Sequence, residues 1–169
     1  MAKDLNIALV RVDSRLVHGQ ILEAWVPFIK AKCIIVVNDK VAADPFLETV
    51  IKMAVPSDME VIISSIDDFV QNYTFMHGHG KRTIVLFGSI ADACNAYERG
   101  FHFDKLNIGN VHNNEYKVCC SSSVFLCDEE ISTLENLLKK AGVFVEVQRV
   151  PKGRAVNIKE ALKDFWHVK

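Results

Sequence analysis

Apolar residues in this chain come in two patterns that take turns along its length. One is a short unbroken run; the other is a stripe with helical spacing. Ile7-Ala8-Leu9-Val10 is a run of the first kind, as in a strand covered on both faces. Ile21, Leu22, Trp25, Val26 and Ile29 then fall on one side of a helix. Cys33-Ile34-Ile35-Val36-Val37 predicts a second strand. Asp44-Pro45 opens a helix with Asp as N-cap and Pro at its first position, and Phe46, Leu47, Val50, Ile51 and Ala54 form its stripe before Pro56 ends it.

The alternation continues. Glu60-Val61-Ile62-Ile63 reads as a third strand, and Ser65-Ile66-Asp67-Asp68 as a capping box that starts a short helix. His77-Gly78-His79-Gly80-Lys81 is a polar loop before a fourth strand, Thr83 to Phe87. Ile90, Ala93, Cys94 and Tyr97 align on the next helix, with Gly100 at its end. Lys105 to Ile108 predicts a fifth strand. Residues 117–127 are β-prone but mixed. Ile131, Leu134, Leu137, Leu138 and Ala141 mark a helix closed by Gly142, residues 143–150 a last strand, and Asn157 the cap of a terminal helix. Strands that alternate with helices predict an α/β fold: an open, mostly parallel sheet, mixed at one edge at most, with helices on both faces. No linker-like segment divides the chain, so residues 1–169 are read as a single domain.

Composition narrows the function. The formal net charge is -1, so neither nucleic acid nor an acidic lipid surface is favoured as a partner. No apolar run is long enough for a bilayer span, and the start does not read as a signal peptide. Five cysteines without a C-x-x-C predict reduced thiols in a cytoplasmic protein. His77, His79, His112, Cys119 and Cys120 lack metal-ligand spacing, and no metal or other cofactor is expected. Neither G-x-x-x-x-G-K-[ST] nor G-x-G-x-x-G occurs.

Ligands of open α/β sheets sit beyond the carboxyl ends of the strands. The segment after the first strand is Arg11-Val12-Asp13-Ser14-Arg15-Leu16-Val17-His18-Gly19-Gln20. A helix N-terminus favours anions, so cationic residues there oppose the dipole and point to an anionic ligand. Arg11 and Arg15 can supply forked donors to phosphate oxygens. A neutral imidazole, His18, is a nucleophile near neutral pH. Asp13 could hold one ring nitrogen and leave the other free. Gly19 removes a side chain where a partner must come close. Ser64, Ser65, Asp67, Gly88 and Ser89 follow later strands; helix capping explains them, with a crevice role for Ser65 and Ser89 as the alternative. Asn110 and His112, at a strand end, are candidates for lining the crevice. Trp25, on an apolar helical face, reads as core.

That ten-residue string resembles the active loop of the enzyme IIB component of mannose/fructose/sorbose-type bacterial sugar phosphotransferase systems, roughly Arg-Ile-Asp-Asp-Arg-Leu-Ile-His-Gly-Gln. Further segments resemble the same family: Ile35-Val36-Val37-Asn38-Asp39, Lys52-Met53-Ala54-Val55-Pro56, Leu106-Asn107-Ile108-Gly109-Asn110-Val111-His112, and Gln148 with Val150-Pro151. Ser14 stands where the family usually has Asp, and 113–123 departs from its glycine-containing loop. The resemblance implies that His18 accepts phosphate from a phosphohistidine on a IIA protein or domain. It implies donation to a sugar held by membrane IIC and IID components, from a cytoplasmic position at the membrane. Arg11, Asp13 and Arg15 inherit an expectation of phosphate binding or loop orientation. A regulatory phosphohistidine carrier without sugar transfer, and a non-catalytic anion- or sugar-phosphate-binding module, are the alternatives. The sugar and the oligomeric state, including a homo-oligomer, stay open.

Overall fold

A computed structural model describes residues 5–76 and 80–167; the His77 and His79 of the polar loop lie outside the described residues. The strands are β1 (Asn6–Asp13), β2 (Cys33–Val37), β3 (Glu60–Ser64), β4 (Arg82–Phe87), β5 (Lys105–Asn110), β6 (Val118–Ser121), β7 (Val124–Leu126), β8 (Phe144–Val147) and β9 (Val156–Asn157). Among the described residues the main sheet runs β3-β2-β4-β1-β5-β8-β9. Every pairing in it is parallel except β8 with β9. The expected parallel sheet, mixed at one edge, is what the chain forms.

The unbroken apolar runs have a simple cause. All five residues of β2 are fully buried. Cys33, Ile35 and Val37 enter one core, while Ile34 and Val36 enter the other. Successive side chains of a strand point to opposite faces, so a strand covered on both sides needs apolar residues at every position. Each such side chain contributes roughly 1.5–3 kcal/mol by leaving water.

The helices are α1 (Val26–Ile29), α2 (Asp39–Ala42), α3 (Pro45–Ala54), α4 (Ile66–Asn72), α5 (Ile90–Glu98), α6 (Asp128–Ala141), α7 (Ile158–Ala161) and α8 (Lys163–His167). Side chains of α4, α5, α6 and α7 fill one core; those of α1, α2 and α3 fill the other. Among the described residues no helix is long and apolar enough to cross a membrane. Asp44 caps α3 as expected, accepting from Phe46 N at 2.9 Å and Leu47 N at 3.3 Å. Its stripe is narrower than expected: Leu47 and Ile51 pack on the core, while Phe46 and Val50 are exposed.

Three details depart from the sequence reading, and the β-prone segment 117–127 takes a definite form. The helix before α1 opens at Gly19, but its middle, Ile21–Trp25, is a π-helical turn closed by Val26 N on Ile21 O. Pro27 follows and offers no N–H, so a regular α-helical ladder could not have run through it. Residues 117–127 form the β6–β7 hairpin, tied to β5 by a bridge from Val111 to Val124. The strand expected over 143–150 stops at Val147, and the chain turns back as β9, where Gln148 Nε2 donates to Pro151 O and Gly153 O. Finally, β1 extends through Asp13, so Arg11 and Asp13 belong to a strand rather than a loop.

Ser65 and Ser89 are helix caps. Ser65 Oγ accepts from Asp68 N and Ser89 Oγ from Asp92 N, each at 3.1 Å. Changing either to Ala should lower the unfolding free energy in urea by about 1 kcal/mol. Neither change should disturb the environment of His18, read by its imidazole NMR signals.

Candidate functional site

Arg11 and Asp13 lie two residues apart on β1 and therefore on one face of it. Both side chains are fully buried. A buried ion pair is tolerated only when its remaining donors and acceptors are satisfied, and here most are. Arg11 Nη1 donates to Asn107 Oδ1 and, at 2.8 Å, to Gln148 O. Nη2 donates to Arg149 O at 3.0 Å and to Asp13 Oδ2 at 3.2 Å. The guanidinium carbon also lies 4.9 Å from the centre of the Trp25 ring, whose Nε1 donates to Arg149 O at 3.2 Å. Only Nε of Arg11 lacks a partner among the described residues.

Gly109 makes this packing possible. A Cβ there would lie 1.6 Å from Arg11 Nη2 and 2.0 Å from its Cζ. The glycine of the 106–112 segment thus opens the space in which the guanidinium sits.

Asp13 gathers the loop around its carboxylate. Oδ1 accepts from Arg15 N and Arg15 Nε, both at 3.1 Å. Oδ2 accepts from Arg15 Nη2 at 3.1 Å and meets His18 Nε2 at 3.0 Å. Burial by itself would raise the pKa of this acid. Hydrogen bonds from His18 and Arg15, with the Arg11 charge, outweigh it and hold Asp13 at about 2, below the ordinary 3.8. Arg11 moves from 12.5 to about 10, chiefly because burial disfavours its charge; Asp13 opposes that shift and Arg15 adds to it. The two partners differ because Asp13 faces three donors whereas Arg11 faces one carboxylate.

The loop itself is pinned at both sides. Leu16 has φ +56°, a left-handed conformation that bulky residues rarely adopt. Its side chain is nonetheless buried in the core under α1, and Leu16 N donates to Asp13 O at 2.9 Å. Opposite, Ser14 N donates to Asn110 O at 3.0 Å and Ser14 Oγ to Asn110 Oδ1 at 2.6 Å. Strain of this kind persists where surrounding contacts over-determine the backbone, and it concentrates at functional sites.

His18 stands at the start of the helical stretch. Gln20 N donates to His18 Nδ1 at 3.3 Å, and Gln20 Oε1 accepts from Arg15 Nη2 at 3.0 Å. The imidazole side chain is 17% exposed and that of Arg15 37%. Arg15 Nη1 has no partner among the described residues and is available to a ligand. The backbone N–H groups of Val17 and His18 are likewise unpaired among the described residues. At Gly19 an added Cβ would meet nothing within 4 Å, so the chain's own packing does not demand a glycine there.

The structure therefore brings Asp13, Arg15, His18 and Gly19 together at the carboxyl end of β1. Arg11, expected among the phosphate donors, instead points inward; its described bonds all run to the body of the protein and to Asp13. Asn110 joins the site through Ser14. His112 is exposed and packs edge-on against Phe125, at 5.6 Å between ring centres, with no bond to the loop. Ser65 and Ser89 serve their helices. The sequence reading assigned no role to Asn107, Gly109, Gln20 or the Gln148 and Arg149 carbonyls. Carbonyl acceptors leave no trace in residue type, whereas the glycine after Ile108 was a signal for close backbone approach. The five thiols are free, and among the described residues no group of three His, Cys, Asp or Glu side chains could hold a metal ion.

Two outcomes are expected. Asp13 has a lower pKa folded than unfolded, so its contribution is complete above about pH 4 and is lost as pH falls through about 2. In urea melts, the stability gap between wild type and Asp13→Asn should narrow by about 2 kcal/mol from pH 5 towards pH 2. Gly109→Ala should destabilise by about 3 kcal/mol or more, because the guanidinium that would have to move is held by buried partners. Urea denaturation of that variant measures it.

Known proteins share both sequence and architecture with this chain. The N-acetylgalactosamine-specific phosphotransferase enzyme IIB component 2 of Escherichia coli is 32% identical over 90% of this chain and 96% of its own length. A probable phosphotransferase enzyme IIB component of Streptococcus pyogenes is 29% identical over 91% of this chain and 98% of its own. The crystal structure of the IIBSor domain of the sorbose permease from Klebsiella pneumoniae superposes with a TM-score of 0.84 at 28% identity, covering 95% of this chain and 98% of that one. The family model described as "PTS system sorbose subfamily IIB component" matches residues 7–168. This chain belongs to the sorbose subfamily of phosphotransferase-system IIB components.

Proposed function

We propose that this chain carries phosphate in a sugar phosphotransferase system, with His18 as the carrier residue and Nδ1 as the atom that is phosphorylated. The observation that carries the reading is the pair of contacts on the imidazole. A carboxylate can only accept, so Nε2 keeps the proton and donates to Asp13 Oδ2 at 3.0 Å. Nδ1 then keeps its lone pair, directed towards the amide of Gln20 at the start of the helical stretch.

The step follows from that arrangement. The Nδ1 lone pair, released from its long 3.3 Å contact with Gln20 N, attacks the phosphorus of a phosphohistidine on a IIA protein or domain. An N–P bond forms on His18 as the donor's N–P bond breaks, and that electron pair returns to the donor ring. Positive charge develops on the His18 ring, and Asp13 stabilises it without taking the proton, as its low pKa requires. Arg15, through its free Nη1, and the unpaired loop amides neutralise the phosphoryl oxygens. Gly19 leaves room for the second protein. In the second half-reaction a sugar hydroxyl, held by membrane IIC and IID components, attacks the phosphorus: an O–P bond forms as the His18 N–P bond breaks, the electron pair returns to Nδ1, and the hydroxyl proton passes to a base on the membrane components or to water. The chain works from the cytoplasm at the membrane surface. Arg11 acts behind the site by fixing Asp13.

Incubation with labelled phosphoenolpyruvate, the general phosphotransfer proteins and a IIA protein should label the chain. His18→Ala should abolish the label, which should be acid-labile and base-stable. Label that survives this change, or that resists acid, would overturn the assignment. Sugar phosphate formed with vesicles holding IIC and IID would separate transfer to sugar from a purely regulatory role.

A further inference from the structure

The interior face of the sheet carries a polar line that ends at the imidazole. Asn107 on β5 and Glu146 on β8 are paired across the parallel ladder. Asn107 is fully buried and Glu146 nearly so. Glu146 Oε1 accepts from Asn107 Nδ2 at 3.1 Å and from Lys105 Nζ at 2.8 Å. Asn107 Oδ1 in turn accepts from Arg11 Nη1, and Arg11 Nη2 reaches Asp13.

An Asn amide has nearly the same shape either way round, so its neighbours decide its orientation. Glu146, paired with Lys105, offers only acceptors to Asn107. The amide nitrogen must therefore face Glu146, and the oxygen must face Arg11. The reverse orientation would set NH2 against the Arg11 Nη1 donor and leave a buried carboxylate oxygen opposite a carbonyl oxygen. In a buried network such a reversal is expensive, because each unmet group loses its solvation.

We propose that Asn107 and Glu146 are positioning residues for His18: Glu146 sets the direction of the Asn107 amide, whose oxygen holds Arg11 and, through Asp13, the imidazole. Neither residue touches the reacting atoms. The effect on transfer rests on the reading of His18 as phosphoryl acceptor, whereas the effect on the imidazole does not.

Three variants of the full chain test this: Glu146→Gln, Asn107→Asp, and the two together. Gln at 146 can keep its carbonyl oxygen on Asn107 Nδ2 and Lys105 Nζ, the two contacts that Glu146 Oε1 makes, so alone it leaves the amide as it is. Asp at 107 can still accept from Arg11 but opposes Glu146. Together they restore a donor facing an acceptor, since one oxygen of Asp at 107 accepts from Arg11 and the other from Gln at 146. Exchange of the His18 Nε2 proton with water, followed by 15N-histidine NMR, should quicken about fivefold in Asn107→Asp, the size of one buried hydrogen bond lost, and stay within about twofold of wild type in Glu146→Gln. The initial rate of phosphorylation should fall by about the same factor in Asn107→Asp. The double variant should return to within about twofold of wild type in both.

A merely structural role would lower the melting temperature of the folded protein without moving the Nε2 proton, so melting temperatures are measured alongside. An unchanged Nε2 proton in Asn107→Asp would overturn the proposal, as would a double variant no better than Asn107→Asp alone. If a single variant fails to fold, recovery of the Nε2 proton signal in the double variant still decides. If wild type takes no phosphate, the phosphocarrier reading fails, and the proton exchange still tests the positioning role.

Discussion

The loop depends on a single carboxylate. Asp13 is fully buried, and Arg11, Arg15 and His18 all bond to it. Without it, Arg15 and His18 would share no acceptor, and Arg11 would be a buried cation without a counter-charge. The i, i+2 spacing of a strand sets Arg11 and Asp13 on one face, and the turn after β1 folds Arg15 and His18 back over it. The remaining features of the loop serve this convergence. Leu16 enters the core in a left-handed conformation to turn the chain, and Ser14 fastens the outer side to Asn110.

Two cations of the same loop divide the work by depth. Arg11 gives up solvent, and burial weakens its hold on its proton, but at about 10 it stays charged at neutral pH. Its donors are used on carbonyl groups, Asn107 and Asp13, so its role is to fix the carboxylate. Arg15 is partly exposed and keeps a free Nη1, so it can meet an incoming anion. A guanidinium suits both tasks: its planar fork matches several fixed acceptors at once in the interior and phosphoryl oxygens at the surface.

Much of this was legible in the sequence. Unbroken apolar runs such as residues 33–37 announce strands covered on both faces, and alternation with helical stripes announces a parallel sheet. The resemblance of 11–20 and 106–112 to one family pointed to the candidate site. Depth was not legible. A polar string after an apolar run looks like a loop, yet β1 continues through Arg11 and Asp13 because the charges there neutralise each other inside the protein. Residue type also failed to separate the inward Arg11 from the outward Arg15, since the difference lies in carbonyl acceptors contributed by residues 148 and 149. The serines at 65 and 89 were open to two readings, and their backbone partners assign them to helix ends. The narrow apolar seam of α3 escaped because spacing marks a stripe but does not say how much of it meets the sheet.

A reversible phosphate carrier must hold its phosphate neither too weakly nor too strongly, and in the proposed role the shared contacts of Asp13 bear on that balance. In the proposed role, Asp13 would favour the charge that forms on the ring once Nδ1 is phosphorylated. The same carboxylate already has two arginines, however, so its pull on the imidazole is shared rather than exclusive. Arg15 is shared as well: it is bonded to Asp13 and Gln20, with one nitrogen left unpaired among the described residues. A site with an unshared cation would stabilise the phosphorylated form more and release it less readily. For the proposed carrier, the buried Arg11 would then act as a restraint: by occupying part of the carboxylate, it would limit how tightly the loop holds a phosphoryl group.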